Sequence, residues 1–231
     1  MTPDLFAESA IHERTLSRDD VAALAASGQP QTLVECDLEE ADLSKLDLAG
    51  WTFERCTLRR TNFTETRLEG SVWKSCRSAL CDLTGAHLTE ARFQSCDFNN
   101  AVLRRAKLGS ATFQGCKLTG ADLTDAKALD TTFEETLLIN AKLPSFSFRK
   151  LTLRRVDFSQ ADLRKCDFRQ AVFEECSLRE ASLGGCRFDG ADLRGADLGG
   201  LRLVDAALFR GATISREQAG QLLAELGLNV R

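Results

Sequence analysis

From Leu33 to Leu208 a large apolar residue recurs at every fifth position, and no other feature of this 231-residue chain constrains its fold as tightly. Of the 36 positions in the series, all but Ser78 and Ala128 are Leu, Phe or Trp. Two residues before each runs a second series, mostly small: Cys36, Ala41, Cys56, Thr61, Thr66, Ser71, Cys76, Cys81, Ala86, Ala91 and onward. The remaining three positions are largely Asp, Thr, Arg, Glu, Lys, Ser and Gly. A period of five fits neither the helix nor the alternating strand. It fits a coil that turns a corner every five residues, with the large residue and the small one two before it inside and the other three toward water.

A slower period gives the size of one turn. Phe53, Trp73, Phe93, Phe113, Phe133 and Phe173 fall on steps of 20, as do Cys36, Cys56, Cys76, Cys96 and Cys116, so four pentapeptides close one coil. Stacked at β-ladder spacing, about nine coils make a rod roughly 43 Å long, each burying its apolar residues on its neighbours. The predicted architecture is an all-β solenoid, a quadrilateral β-helix over residues 31–212. Residues 1–30 form an amino-terminal arm and capping helix, and residues 213–231 a carboxy-terminal capping and dimerisation helix.

The helices are expected because an open solenoid end exposes apolar side chains and unpaired backbone. Ser17-Arg18-Asp19-Asp20 has capping-box spacing ahead of Val21, Leu24 and Ala25, with Gly28 as the stop. Ser215-Arg216-Glu217-Gln218 repeats the pattern ahead of Leu222, Leu223 and Leu226, with Gly227 at the end. Residues 1–14 read as a loose arm in which Leu5 and Phe6 can dock.

Nine cysteines raise the question of disulfides or a metal. All nine occupy the small inward position, where cysteine packs as a small hydrophobe. Parallel side chains about 4.8 Å apart also lie outside the usual disulfide range. Reduced thiols in this number point to the cytoplasm, and no apolar run approaches the length of a membrane helix. Only two histidines are present, His12 in the arm and His87 at an outward position. No HExxH, GxSxG, Walker A or dinucleotide fingerprint occurs. The recurring Asp82, Asp122 and Asp162 read as turn residues of their pentapeptides. The expectation is a protein with no catalytic residues, cofactor or metal.

The residues themselves carry a family resemblance. Ala121-Asp122-Leu123-Thr124-Asp125, Ala161-Asp162-Leu163-Arg164-Lys165 and Ala191-Asp192-Leu193-Arg194-Gly195 resemble consensus copies of the pentapeptide repeat, and the resemblance implies a right-handed helix. The segment from Ser215 to Val230 resembles the dimerising end of Qnr-type topoisomerase-protecting proteins. That implies a homodimer, non-catalytic and DNA-mimicking, which binds DNA gyrase or topoisomerase IV and modulates it or protects it from quinolones or toxins. The leader with Leu16-Ser17-Arg18-Asp19-Asp20-Val21 and Leu33-Val34-Glu35-Cys36-Asp37-Leu38 resembles pentapeptide proteins associated with type VI secretion. That implies the alternative, a protein-interaction scaffold or adaptor.

Charge is mixed. Glu35, Asp37, Glu39, Glu40 and Asp42 make one end acidic, whereas Arg149, Lys150, Arg154, Arg155, Arg164, Lys165 and Arg169 make a later stretch basic. The formal net charge of -4 and the shortage of exposed aromatics argue against direct nucleic-acid binding. Ala128 to Leu151 departs from consensus, with Ala128 underfilling a large position and Phe146 and Leu151 overfilling small ones. Leu129, Leu137 and Ile139 there fall at outward positions and are the candidate partner surface. Leu201, Val204, Phe209, Leu222, Leu223 and Leu226 are the candidate dimer seam.

Overall fold

Corners are what turn the five-residue pattern into a coil. The last residue of each pentapeptide enters the left-handed region even when it is not glycine, as at Arg55 (φ 52°), Arg60 (φ 56°) and Glu65 (φ 57°). That conformation costs an L-residue about 1–2 kcal/mol. Hydrogen bonds to the next coil offset it: the Arg60 amide donates to the Ala79 carbonyl (3.1 Å) and the Glu65 amide to the Thr84 carbonyl (2.9 Å). The structure is a computed structural model that describes residues 10–200, 207–224 and 227–229.

Four sides alternate around each coil. The first carries short strands β1 (Ile11–His12), β2 (Thr32–Val34), β3 (Thr52–Glu54), β4 (Val72–Lys74), β5 (Arg92–Gln94), β6 (Thr112–Gln114), β7 (Thr132–Glu134), β8 (Thr152–Arg154) and β9 (Val172–Glu174). They pair in sequence order into one parallel sheet. From β2 to β9 each strand stands opposite its equivalent on the next coil, Phe53 against Trp73 and Phe93 against Phe113. The second side carries a smaller pair, β10 (Cys176–Ser177) with β11 (Ala196–Asp197). Single bridges continue the ladder elsewhere, such as Asp82 to Val102 on the third side and His87 to Lys107 on the fourth.

Inside, Phe53, Trp73, Phe93, Phe113, Phe133 and Phe173 are buried. Phe93 stacks on Phe113 with ring centroids 4.5 Å apart, and Phe113 on Phe133 at 5.1 Å. Small inward residues add polar links between coils. The Thr61 hydroxyl donates to the Leu38 carbonyl (2.7 Å), and the Cys56 and Cys76 thiols donate to the Leu33 (3.3 Å) and Phe53 (3.2 Å) carbonyls. All nine cysteines are free and buried, Cys96 and Cys116 among them. Burial pushes the Cys81 and Cys166 thiols well above their ordinary range.

At the amino end the ladder begins before residue 31. Ile11 and His12 pair in parallel with Leu33 and Val34, and Thr15 bridges Asp37, so part of the segment read as a loose arm is an incomplete first coil. Helix α1 (Arg18–Ala25) takes the place of that coil's remaining sides. Its capping box is formed by Ser17 and Asp20. Val21 is fully buried, and Arg18 donates to the Asp42 (2.7 Å) and Ser44 (3.1 Å) carbonyls of the coil beneath. Leu5 and Phe6 lie outside the described residues.

At the carboxy end the unbroken register to Leu208 needs correction. Val172 bridges Asp192 in the regular step, but Asp192 then bridges Thr213, one position beyond where that step would land. An extra residue has entered the last coil. Phe209, not Leu208, therefore stacks on Phe188, with centroids 4.6 Å apart. The larger ring thereby takes the aromatic stack.

A second departure lies between the coils of residues 121–140 and 141–160. Phe146 is buried and Leu151 half-buried at positions that the coils beyond residue 60 otherwise give to Ala, Cys, Ser or Thr; earlier in the chain Leu46 and Trp51 fill the same two positions. Overfilling of two inward positions beside the underfilled Ala128 favours a backbone shift here, although the buried Trp51, at the position of Leu151, leaves β2 and β3 fully paired. β7 and β8 retain only the Glu134–Arg154 pair. Among the described residues, Lys127 and Ser147 form no bridge with each other, and the amides of Asp125, Ala128, Asp130, Ser147 and Thr152 lack their partners across the seam. The second and third sides stay closed, with Leu137 bridging Asp157 and Asp122 bridging Lys142.

Candidate interaction surface

Side chains at the three outward positions of each side line up with their equivalents on the coils above and below, so the surface consists of columns. In these columns most of the acidic end is neutralised. Arg55 meets Glu35 (2.6 Å), Arg59 meets Glu39 (3.5 Å), Arg60 meets Glu40 (3.0 Å) and Arg18 meets Asp42 (3.5 Å). Much of the basic stretch is compensated in the same way: Arg154 meets Glu174 (2.7 Å), Arg155 pairs with Glu135, and Arg164 meets Asp162 (2.6 Å). Arg169 meets Asp167 (2.5 Å). Arg149, Lys150 and Lys165 have no carboxylate within ion-pair distance among the described residues. The sequence shows both charge blocks but not their cancellation, because most of the partners stand on neighbouring coils.

The recurring aspartates are turn formers. Asp82, Asp122 and Asp162 each accept the backbone N–H two residues on, at 2.9, 3.0 and 3.2 Å. Asp122 is the most enclosed. Burial opposes its charge, but hydrogen bonds from Thr124 and from the Arg104 guanidinium (2.8 Å) outweigh that and hold its carboxyl down at about 2. Lys142 lies 3.7 Å away. This is a structural clamp between coils, with no second carboxylate placed for acid–base work among the described residues.

His87 sits between Glu69 (3.2 Å) and Lys107 (2.8 Å) on the fourth side. Among the described residues, no group of three or more His, Cys, Asp and Glu side chains is arranged to hold a metal ion. Among them also, no helix is long and apolar enough to cross a membrane.

The candidate partner residues do not form one patch. Leu129 is 75% exposed on the fourth side, whereas Leu137 and Ile139 lie on the second, across the rod. Leu137 is the more exposed of that pair. The stretch from Leu129 to Leu137 is longer than one side of the square, and only the corner geometry reveals that separation.

The candidate seam residues also divide. Leu201, Val204 and Leu226 lie outside the described residues. Phe209 turns inward onto Phe188, and Leu222 packs against the core. Leu223, together with Ile214 and Leu228, remains exposed at this end. Helix α2 (Arg216–Ala224) closes the last coil through a residue the sequence reading treated only as a cap. Gln218 accepts from the Ser215 amide (2.7 Å) while its own amide group donates to the Leu193 (2.7 Å) and Ala196 (2.6 Å) carbonyls.

Comparison with known proteins agrees with this geometry. Residues 86–163 match the family described as pentapeptide repeat region, and residues 33–72, 152–190 and 171–208 match pentapeptide repeats (8 copies). No curated protein matches. The solved structure of HetL, a pentapeptide repeat protein involved in heterocyst differentiation regulation from the cyanobacterium Nostoc sp. strain PCC 7120, is similar. It has 24% identity and a TM-score of 0.66, covering 82% of this chain and 86% of that one. A trypsin-treated form of QnrB1, a plasmid-mediated fluoroquinolone resistance protein, aligns at 22% identity and a TM-score of 0.46, covering 96% of this chain and 97% of that one. With coils, corners and inward ladders all in place, the chain belongs to the pentapeptide-repeat family, and its fold is the right-handed quadrilateral β-helix.

Proposed function

We propose that this protein is a non-catalytic binding rod that engages a partner protein along its side, and that it pairs with a second copy through its carboxy-terminal end. One observation carries the first part. The described coils present rigid columns of outward side chains, while the recurring acids and thiols are occupied in turns and packing. Exposed Ile214, Leu223 and Leu228, clustered at one end, support the second.

A type II topoisomerase, DNA gyrase or topoisomerase IV, is the partner to test first, on the strength of the carboxy-terminal resemblance. Simple duplex mimicry would need uncompensated carboxylates at phosphate-like intervals. The paired Glu35, Glu39 and Glu40 favour instead a partner read through mixed charge and shape. The purified protein should alter gyrase supercoiling, or its inhibition by a quinolone or toxin, at micromolar concentration. No effect on either enzyme removes the topoisomerase.

The adaptor reading has its own support in the closed amino end, where α1 is anchored by Arg18 on the Asp42 and Ser44 carbonyls. It expects a specific partner other than a topoisomerase, whose binding charge reversals on one side abolish.

A further inference from the structure

Where the ladder opens on the fourth side, three features coincide that occur together nowhere else among the described residues. Leu129 is 75% exposed, the most exposed of the large apolar residues. Around it stand Lys127, Arg149 and Lys150, all exposed and none within ion-pair distance of a carboxylate. The amides of Ala128, Asp130 and Ser147 have lost their backbone partners. The next corner of the same two coils shows what a closed seam does, because there Glu135 and Arg155 pair. Asp130 and Lys150 occupy the equivalent positions one side earlier and do not.

We propose that this opening is a docking site for an extended, acidic segment of a partner protein, a proposal that rests on the binding-rod reading and names its site. Carboxylates on such a segment would meet the three unpaired cations through charge-assisted hydrogen bonds. Its carbonyls would take up exposed amides, and an alternate apolar side chain would cover Leu129, as in recognition by strand addition. Asp125 and Asp130 in the same coil oppose a polyanion of uniform charge, and no exposed aromatic ring is present among the described residues to stack on bases. Both features favour a polypeptide over a nucleic acid.

The test uses the full chain and a fluorescein-labelled octapeptide of alternating Glu and Val, followed by fluorescence anisotropy. Micromolar binding is expected. It should weaken about tenfold or more in Lys127→Glu/Arg149→Glu and in Leu129→Ser, since a few central contacts dominate such sites. It should be unchanged in Lys117→Glu, an exposed position on the second side. In hydrogen exchange, the Ala128 and Asp130 amides should exchange faster than Leu108 and Ser110, their equivalents one coil earlier, and slow when the peptide is added.

Leu151→Ala, which restores a small inward residue, should close the seam, slow those amides without peptide and weaken peptide binding. Absence of peptide binding, or binding indifferent to these substitutions, overturns the site. Tighter binding of a labelled DNA duplex at the same residues overturns the polypeptide identity. If the charge reversals leave an effect on gyrase intact while peptide binding is lost or never seen, the binding rod stands and this site falls.

Discussion

The ring of Phe209 stacks on Phe188 at 4.6 Å and 22°, although the two stand one position further apart in the chain than the regular coil step that joins Phe93 to Phe113. That contact ends the aromatic stack and seats the turn leading into α2. Phe209→Ala should therefore cost about 2–3 kcal/mol, less than full burial would because the ring is half-exposed. A urea titration followed by circular dichroism checks the value. A larger loss for Leu208→Ala would restore the uniform register.

Dimerisation should respond to a different residue. Leu223 is 39% exposed, whereas Phe209 faces the core. Leu223→Asp should convert a dimer into a monomer in sedimentation without lowering thermal stability appreciably. A wild-type protein that sediments as a monomer at every concentration rejects the pairing.

Ser78 stands in the series of large residues, fully buried, with a hydroxyl that has no hydrogen-bond partner. Replacing an unsatisfied buried hydroxyl removes a desolvation cost, so Ser78→Ala should stabilise the rod by about 1 kcal/mol. Destabilisation of similar size would mean that the hydroxyl is satisfied.

Acid should loosen the middle of the rod. The Asp122 carboxyl is held down at about 2, so its contribution is complete above the ordinary carboxylate range, near 4, and disappears as pH falls through about 2. The shift corresponds to about 2 kcal/mol. Asp122→Asn should lose stability of that order at neutral pH and flatten the decline between roughly pH 4 and 2. Equal acid profiles for both proteins would rule out the Arg104 clamp as the source.

The thiols should be silent in the native state. All nine are buried, and burial raises Cys81 and Cys166. A maleimide reagent at neutral pH should label almost none until denaturant is added, then all nine. Rapid labelling of the folded protein would contradict their place in the core.

Much of this fold is legible in the sequence because each inward position is specified locally. Phe113 must be apolar and Cys116 small whatever happens elsewhere, and the even spacing of Phe53, Trp73 and Phe93 gives the coil length directly. Both capping boxes are equally local, Ser17 with Asp20 and Ser215 with Gln218. The candidate surface is less legible. Leu129 and Leu137 look like neighbours in the chain and stand on opposite sides of the rod, and Arg60 and Glu40 look like separate charges until the coils stack.

By itself, then, the sequence determined the coil, its register over most of the length and the packing role of every cysteine, because a repeat of five leaves each residue a single choice between inside and outside. Tertiary structure decided the extra residue before Phe209, the incomplete coil at Ile11, the open seam beside Phe146 and Leu151, and the cancellation of charge between coils. Each depends on contacts between residues a full coil apart in the chain, where volumes and charges are balanced against neighbours that the local pattern does not contain.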